Sequence, residues 1–244
     1  MNSVLDGLKQ GIVLGVAIAA VILPPSRGTH PLPDFPAIGS RSASVPASPR
    51  YADFRASSPP DGVRYIADWV ADSGDNRGMA FLIIDKKDAR VWVFDPDGRL
   101  RASSPVLLGA AAGDDSVEDI GNRPIAQVRP EERTTPAGRF LAEPGRNAKG
   151  EDVVWVDYDH AVSMHRLRAV EPSERRQQRL ASPTPEDNRI SYGCINVPPA
   201  FYDAVVKPAF DRRRGMVYVL PEIKAIEDVF VSYDVAARHA AGRS

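Results

Sequence analysis

The single cysteine of this 244-residue chain, Cys194, lies in the segment ISYGCINVP (190–198). A cysteine thiolate attacks acyl carbons efficiently, and a nearby protonated histidine or helix N-terminus lowers the thiol pKa. Gly193 lets the backbone turn sharply just before it, and the N–H groups of Gly193 and Cys194 are candidate donors to a developing oxyanion. Most free cysteines are instead buried and inert, so the neighbouring residues decide between a nucleophile and a core residue.

A thiol nucleophile needs a base, and His165 is the candidate among the four histidines. His165 ends the predicted strand AVSMH (161–165), in which alternate side chains point to the same face. It therefore shares a face with Ser163. The other three histidines lie on the opposite face or outside the predicted domain: His160, His30 and His239.

The segments that carry these residues show the alternation and turn residues typical of strands. We expect short helices at DGVRYIADWVADS (61–73), where apolar residues recur at helical spacing, and within 197–210. Residues 110–133 are irregular and predict a loop or insertion. The fold class is therefore mainly β with short helices (α+β). The predicted strands are MAFLIID (79–85), RVWVFD (90–95), 99–108, 139–141, VVWVDYD (153–159), AVSMH (161–165) and MVYVL (216–220).

Composition divides the chain into four parts. Residues 1–24 contain the apolar run GIVLGVAIAAVIL (11–23) and predict an export signal or an uncleaved N-terminal membrane anchor. Residues 25–60 are rich in Pro, Ser and Ala and predict a linker. Residues 61–222 form the expected catalytic domain, and 223–244 a C-terminal tail. We therefore expect an exported protein of the periplasm or cell envelope, anchored to the inner membrane if the signal is not cleaved.

Charge and cysteine usage exclude several classes of function. The formal net charge is −1, which argues against nucleic acid as a partner because phosphate binding needs an excess of clustered Lys and Arg. One cysteine allows neither an intramolecular disulfide nor a cysteine-based zinc site. The histidines lack the spacing of metal ligands. We expect no metal and no cofactor.

Several motifs now combine into one resemblance. The strand pair LIIDKKDARVWVFD (82–95) is followed by a strand that runs into Gly109, then by Thr-Pro-x-Gly-x-Phe at 135–140, and finally by Ser-Tyr-Gly-Cys-Ile-Asn at 191–196. In this order, from about residue 79 to 221, the chain resembles the YkuD-type L,D-transpeptidase catalytic domain. The resemblance implies a β-sandwich-like domain with small helices.

The resemblance also implies an activity. Enzymes of this family attack the tetrapeptide stem of peptidoglycan between a diamino acid and D-Ala. Their cysteine forms a thioester while D-Ala leaves, and an amine of a neighbouring stem resolves the thioester into a 3→3 cross-link. Peptidoglycan stem peptides are thus the expected partner, and cell wall biogenesis the expected process.

Carried over by motif, Cys194 is the implied nucleophile and His165 the implied general base. The carbonyl after the histidine, that of Arg166, is expected to orient the imidazole ring. Gly193 would contribute to the oxyanion hole. Residues of the cysteine loop and its surroundings are expected to shape the loop or bind substrate: Ser191, Tyr192, Asn196 and Arg189.

Two departures from the family pattern stand out. Tyr192 replaces the histidine that the family has two residues before its cysteine. Cys194 also follows His165 by 29 residues, a longer gap than is usual, and the excess is rich in arginine. This stretch is either a solvated helix face or a lid whose guanidinium groups bind carboxylates of an acidic peptide stem. Its arginines are Arg166, Arg168, Arg175, Arg176 and Arg179.

Two other functions stay open from the sequence. A hydrolase of the same fold would cleave peptides or proteins from the wall by transfer to water. A catalytically silent wall-binding module would keep the fold without the chemistry. Cys194 together with a facing His165 favours an enzyme, because a binding module needs neither.

Overall fold

A strongly curved mixed β-sheet organises the protein, whose computed structural model describes residues 48–168, 171–211 and 213–241. The segment predicted as a signal or anchor (1–24) and the predicted linker up to residue 47 lie outside the described residues. None of the helices in the described part of the chain is long and apolar enough to cross a membrane.

The eight strands of the main sheet have the order β3-β2-β1-β10-β5-β6-β7-β9, and β4 pairs with β8 in a separate two-stranded ribbon. The fold class, mainly β with short helices, is confirmed. The strands are β1 (Phe81–Asp85), β2 (Arg90–Phe94), β3 (Leu100–Pro105), β4 (Leu108–Gly109), β5 (Gly138–Arg146), β6 (Asp152–Asp157), β7 (Val162–Arg166), β8 (Arg189–Ser191), β9 (Ile195–Val197) and β10 (Gly215–Val219). The helices are α1 (Asp61–Ser73), α2 (Arg176–Ala181), α3 (199–209, π-helical over Tyr202–Val206), α4 (Ile226–Val229) and α5 (Val235–Ala241).

Alternate residues of β1 divide the interior into two cores. Leu82 and Ile84 point into the core enclosed by the curved sheet and α3. Phe81 and Ile83 point to the other face, where α1 packs with Trp69. A strand buried on both faces reads as a continuous apolar run, which is why FLIID shows little alternation. Helix α1 occupies the predicted residues and ends at Gly74, which has the left-handed backbone typical of a helix C-terminus.

The two edges of the sheet meet next to Cys194. Leu107, just after edge strand β3, forms a bridge with Asn196 in edge strand β9. Both backbone hydrogen bonds of this bridge, from Leu107 N to Asn196 O and from Asn196 N to Leu107 O, measure 2.9 Å. The bridge draws the sheet around the first core, because it joins strands at opposite ends of the strand order.

Packing extends beyond both predicted domain boundaries. Phe54 is buried against the α1 core, and Asp53 bridges to Arg99. At the other end, the His239 ring lies 3.0 Å from a carboxylate oxygen of Asp72 in α1. Side chains on both sides of the predicted domain, Phe54 before it and Phe230 after it, thus belong to the second core.

Candidate active site

Parallel pairing of β7 with β9 brings the histidine and cysteine segments together. Met164 pairs with Ile195, and His165 pairs with Asn196. Cys194 directly precedes β9, so its loop abuts the strand that carries His165. Cys194 follows His165 by 29 positions in the chain, and the pairing of β7 with β9 brings the two segments side by side.

The thiol of Cys194 is turned toward the beginning of β7. Its Sγ lies 3.5 Å from the carbonyl oxygen of Ala161 and 3.6 Å from Ser163 Oγ. Cys194 is buried, with 7% of its surface exposed. Among the described residues, the hydrogen bonds of the thiol go to this pair and none goes to His165. The thiol therefore contacts Ser163, which precedes His165 by two residues on the same face of β7.

Ser163 is a site residue that we did not expect from the sequence. It is buried and is the side chain in hydrogen-bonding contact with the thiol. The signal was available, because Ser163 shares its strand face with His165. The alternation of side chains along the strand does not predict a contact with Cys194, because the sequence does not show which strand pairs with the cysteine segment.

The His165 ring is fixed by a backbone carbonyl, as expected. Its Nδ1 lies 2.8 Å from the carbonyl oxygen of Arg166. A carbonyl can only accept, so Nδ1 carries the proton and Nε2 presents a lone pair. Burial, followed by the charges of Arg168 and Arg176, lowers the pKa of His165 to about 4 against the opposing effect of the Arg166 carbonyl. The ring is therefore neutral at pH 7 and able to accept a proton.

The backbone of the cysteine loop requires glycine at position 193. Gly193 has φ of 122°, and a Cβ atom there would lie 2.7 Å from the carbonyl oxygen of Thr134. Thr135 Oγ1 donates to the Gly193 carbonyl at 2.9 Å and accepts from the N–H of Gly109 at the same distance. The Thr-Pro-x-Gly segment thus supports the cysteine loop and does not reach the thiol.

Ser191 and Asn196 both hold the Cys194 carbonyl, consistent with their expected role in shaping the loop. Ser191 Oγ donates to Cys194 O at 2.6 Å, and Asn196 Nδ2 donates to it at 3.2 Å. The N–H of Gly193 donates to Ser191 Oγ at 3.1 Å. Service as an oxyanion donor would therefore require Gly193 to give up this hydrogen bond.

Arg189 lies in a buried ion cluster, which opposes its predicted role in substrate binding. Its guanidinium forms a salt bridge with Glu222 and donates to the carbonyl oxygen of Lys86. Lys86 is fully buried and donates to Asp114 at 2.6 Å and to the Thr135 carbonyl at 3.0 Å. Both of these contacts are made by Nη2 of Arg189, and no local pattern of the sequence predicts Glu222 as its partner.

Tyr192 stacks against a cation. The guanidinium of Arg133 lies 4.1 Å from the centroid of the Tyr192 ring, a cation–π contact. Arg133 belongs to segment 110–133, for which the sequence predicts a loop or insertion. The structure thus places a permanent positive charge beside Tyr192.

The arginines after β7 are largely engaged within the chain. Arg166 donates to Asp152 at 2.8 Å and to Asp203 at 3.0 Å. Arg168 pairs with Glu151. Helix α2, in the same arginine-rich stretch, has no buried residue.

Arg176 in α2 connects this stretch to the cysteine loop. It donates to Asn196 Oδ1 at 3.0 Å and pairs with Glu174. Because Asn196 in turn holds the Cys194 carbonyl, α2 is tied to the Cys194 loop through one side chain. Within the described ranges, no group of three or more His, Cys, Asp and Glu residues is arranged to hold a metal ion.

Comparisons with known proteins give similarity only to solved structures. No family model and no curated protein matches the chain. The catalytic domain of an E. faecium L,D-transpeptidase matches with 19% identity and a TM-score of 0.32, over 58% of this chain and 96% of that one. The helical cell shape determining protein Pgp2 from Campylobacter jejuni matches with 16% identity and a TM-score of 0.38, over 68% and 58%.

A third match is LD transpeptidase LdtMt1, solved in complex with imipenem, with 18% identity, a TM-score of 0.33 and 58% of each chain covered. The chain thus spans nearly all of the isolated E. faecium domain but less than two thirds of the Pgp2 and LdtMt1 chains. At these identities and TM-scores the matches say nothing about the activity of this chain.

Proposed function

We propose that this protein is a cysteine-dependent acyltransferase of the L,D-transpeptidase type that acts on peptidoglycan tetrapeptide stems and forms 3→3 cross-links. The observation that carries the proposal is the His165 ring, neutral and fixed through Nδ1 by the Arg166 carbonyl, on the strand that pairs with the cysteine segment. The motif order of the sequence supports the choice of substrate.

The reaction needs one side-chain movement. Rotation of Cys194 about χ1 releases Sγ from Ala161 and Ser163 and turns it toward His165. His165 Nε2 then takes the thiol proton as sulfur attacks the carbonyl carbon of the diamino acid. Collapse of the tetrahedral intermediate breaks the bond to D-Ala, whose amine leaves with the proton from His165. The product of this half-reaction is a thioester on Cys194.

Resolution of the thioester reverses the proton path. An incoming amine attacks the thioester carbonyl and gives a proton to His165, the C–S bond breaks, and the sulfur recovers the proton. Water in place of the amine gives hydrolysis by the same steps. Since peptidoglycan lies outside the inner membrane, the proposal includes export to the periplasm or envelope, which the apolar run at 11–23 supports.

Intact-mass spectrometry after incubation of the full chain with imipenem tests the nucleophile. We expect one covalent adduct on the wild type and none on Cys194→Ala. Arg101→Gln, at an exposed position of β3, serves as the matched surface control and should react like the wild type. A wild type without adduct, or an equal adduct on Cys194→Ala, would overturn the proposal.

Products from purified muropeptides distinguish the alternatives. Cross-linked dimers that disappear with Cys194→Ala indicate transfer, whereas shortened or released monomers indicate hydrolysis. Binding to isolated sacculi by wild type and Cys194→Ser alike, with no turnover by the wild type, would identify a silent wall-binding module.

A further inference from the structure

A cavity of about 400 Å³ opens beside His165. It lies between the turn that joins β5 to β6, the end of β7 and helix α3. Its size is at the lower end of the range for small-molecule sites in proteins. The lining residues that bear on its chemistry are Arg146, Glu151, Asp152, His165, Arg168 and Lys207.

The cavity carries more positive than negative charge. Arg166 also lines the cavity. Arg166 and Lys207 both pair with Asp152, and the Lys207 ammonium lies 3.2 Å from the carboxylate. Glu151 neutralises Arg168. Arg166 has a second carboxylate partner, Asp203. With Asp203 included, three carboxylates pair with the cations that line the cavity, whereas the cations number four: Arg146, Arg166, Arg168 and Lys207.

Among the described residues, Arg146 is the cation of this cavity that forms no salt bridge with a carboxylate. Its guanidinium donates to the Gly150 carbonyl at 2.6 Å across the β5–β6 turn. Among the residues that the structure describes, Arg146 has no carboxylate partner. A guanidinium fork held at the mouth of a cavity matches the two oxygens of a carboxylate.

The position of the cavity relative to His165 and Cys194 indicates which reactant the cavity would hold. His165 lines it, whereas Cys194 and Ser163 do not. A molecule in this cavity therefore contacts the base and not the resting thiol. The low pKa of His165, caused first by burial and then by Arg168 and Arg176, fits a positive potential on this side of the ring.

We propose that this cavity binds the carboxylate of a small amine acceptor, with Arg146 as its principal ligand and the acceptor amine directed to His165. The inference rests on the proposed function, because it concerns the second half-reaction. The acceptor nitrogen forms a bond to the thioester carbonyl carbon and the C–S bond breaks. The proton leaves the amine for His165 Nε2 and passes to the sulfur. An acceptor that has an amine but no carboxylate would lose the contact with Arg146.

A binding experiment tests the carboxylate site without any chemistry. Glycine and glycinamide are titrated into the full chain carrying Cys194→Ala at constant ionic strength, and the arginine Nε–Hε and His165 ring signals are followed by NMR. We expect saturable shifts with glycine only. Binding should weaken about tenfold in Arg146→Gln, less in Arg146→Lys, and not at all in Arg101→Gln. Shifts that do not saturate, or equal affinity in Arg146→Gln and Arg101→Gln, would overturn the site.

Turnover tests the assignment to the acceptor. With wild-type enzyme and a tetrapeptide stem as donor, glycine should be transferred in preference to glycinamide, and Arg146→Gln should reduce that preference about tenfold. Arg101→Gln, at an exposed position of β3 outside the cavity, should leave both the preference for glycine and the rate of D-Ala release unchanged. An unchanged preference refutes the acceptor role. Absence of an imipenem adduct on the wild type would instead refute the proposed function, while the binding result would still stand or fall by itself.

Discussion

Ser163 Oγ lies 3.6 Å from Cys194 Sγ, on the same face of β7 that carries His165 two residues further on. The thiol is thus held by a serine hydroxyl and a backbone carbonyl, and none of its hydrogen bonds within the described residues goes to His165. Side chains at i and i+2 of a strand stand roughly 7 Å apart. Under the proposed function, we therefore expect the Cys194 side chain to change its rotamer before the sulfur meets His165.

Replacement of Ser163 by alanine should make the thiol more reactive. Loss of a hydrogen bond of about 1 kcal/mol in the resting rotamer favours the released one, which corresponds to a rise of about fivefold in the rate of alkylation by iodoacetamide. Ser104→Ala, which removes another buried serine hydroxyl, is the control. Slower alkylation of Ser163→Ala than of Ser104→Ala would show that Ser163 activates the thiol instead of docking it.

The low pKa of His165 predicts a stability that depends on pH. The pKa is about 4 in the folded protein against about 6.5 for an unperturbed histidine, so the native state binds this proton more weakly than the unfolded chain does. The contribution is therefore complete above about pH 6.5 and is lost as the pH falls through 4, by about 3 kcal/mol in total.

Urea unfolding between pH 7 and 4 measures this effect. We expect the gap in unfolding free energy between wild type and His165→Gln to shrink or reverse as the pH falls, because the variant has no such proton to reject. His160→Gln removes a histidine that is paired with Asp157 at the surface and controls for histidine loss alone. A gap that is constant across this range would contradict the low pKa.

Arg176 should tune the base through space and hold the loop through Asn196. Its charge lowers the pKa of His165, so Arg176→Gln should raise that pKa and weaken the tie between α2 and the Cys194 loop. NMR titration of the His165 ring measures the first effect. Arg175→Gln, at the exposed neighbouring position, should leave the titration unchanged. An identical His165 titration in both variants would exclude Arg176 as a source of the shift.

Loss of the Lys86 ammonium should destabilise the whole domain. Lys86 is fully buried and pairs with Asp114, and Lys86→Met would leave that carboxylate buried without its cation, at a cost of about 3–5 kcal/mol. Burial raises the pKa of Asp114, but hydrogen bonds from Lys86 and three backbone N–H groups outweigh burial and lower this pKa to about 2. Lys87→Met, at the exposed next residue, should unfold at a urea concentration close to that of the wild type. Equal midpoints for both variants would contradict the prediction.

Local patterns in the sequence were sufficient for most elements of the fold. Helix α1 follows from apolar spacing between Pro60 and Gly74, and the β1–β2 hairpin from two β-rich runs around a polar turn. The partnership of His165 with the cysteine segment follows from no local pattern. It depends on a parallel pairing between β7 and β9, which no local pattern predicts. The position of His165 at the end of a predicted strand and the family resemblance only named the two residues.

The contacts that the sequence did not predict join residues distant in the chain. Arg189 stands beside the motif, and its salt-bridge partner Glu222 follows it by 33 positions. Ser163 was visible as a neighbour of His165 on one face, yet its contact with Cys194 spans 31 residues. Long-range ion pairs and strand register depend on how segments meet in space, and composition carries no record of that.

The bridge between Leu107 and Asn196 has a consequence for how the molecule opens. Asn196 closes the sheet with its backbone and holds the Cys194 carbonyl with its side chain. Any fluctuation that parts the two edges of the sheet must also loosen the thiol loop. The rate at which a reagent labels the single thiol should therefore report how often the two sheet edges separate. Under native conditions this labelling rate would give the free energy of that sub-global unfolding, as amide exchange does for backbone groups.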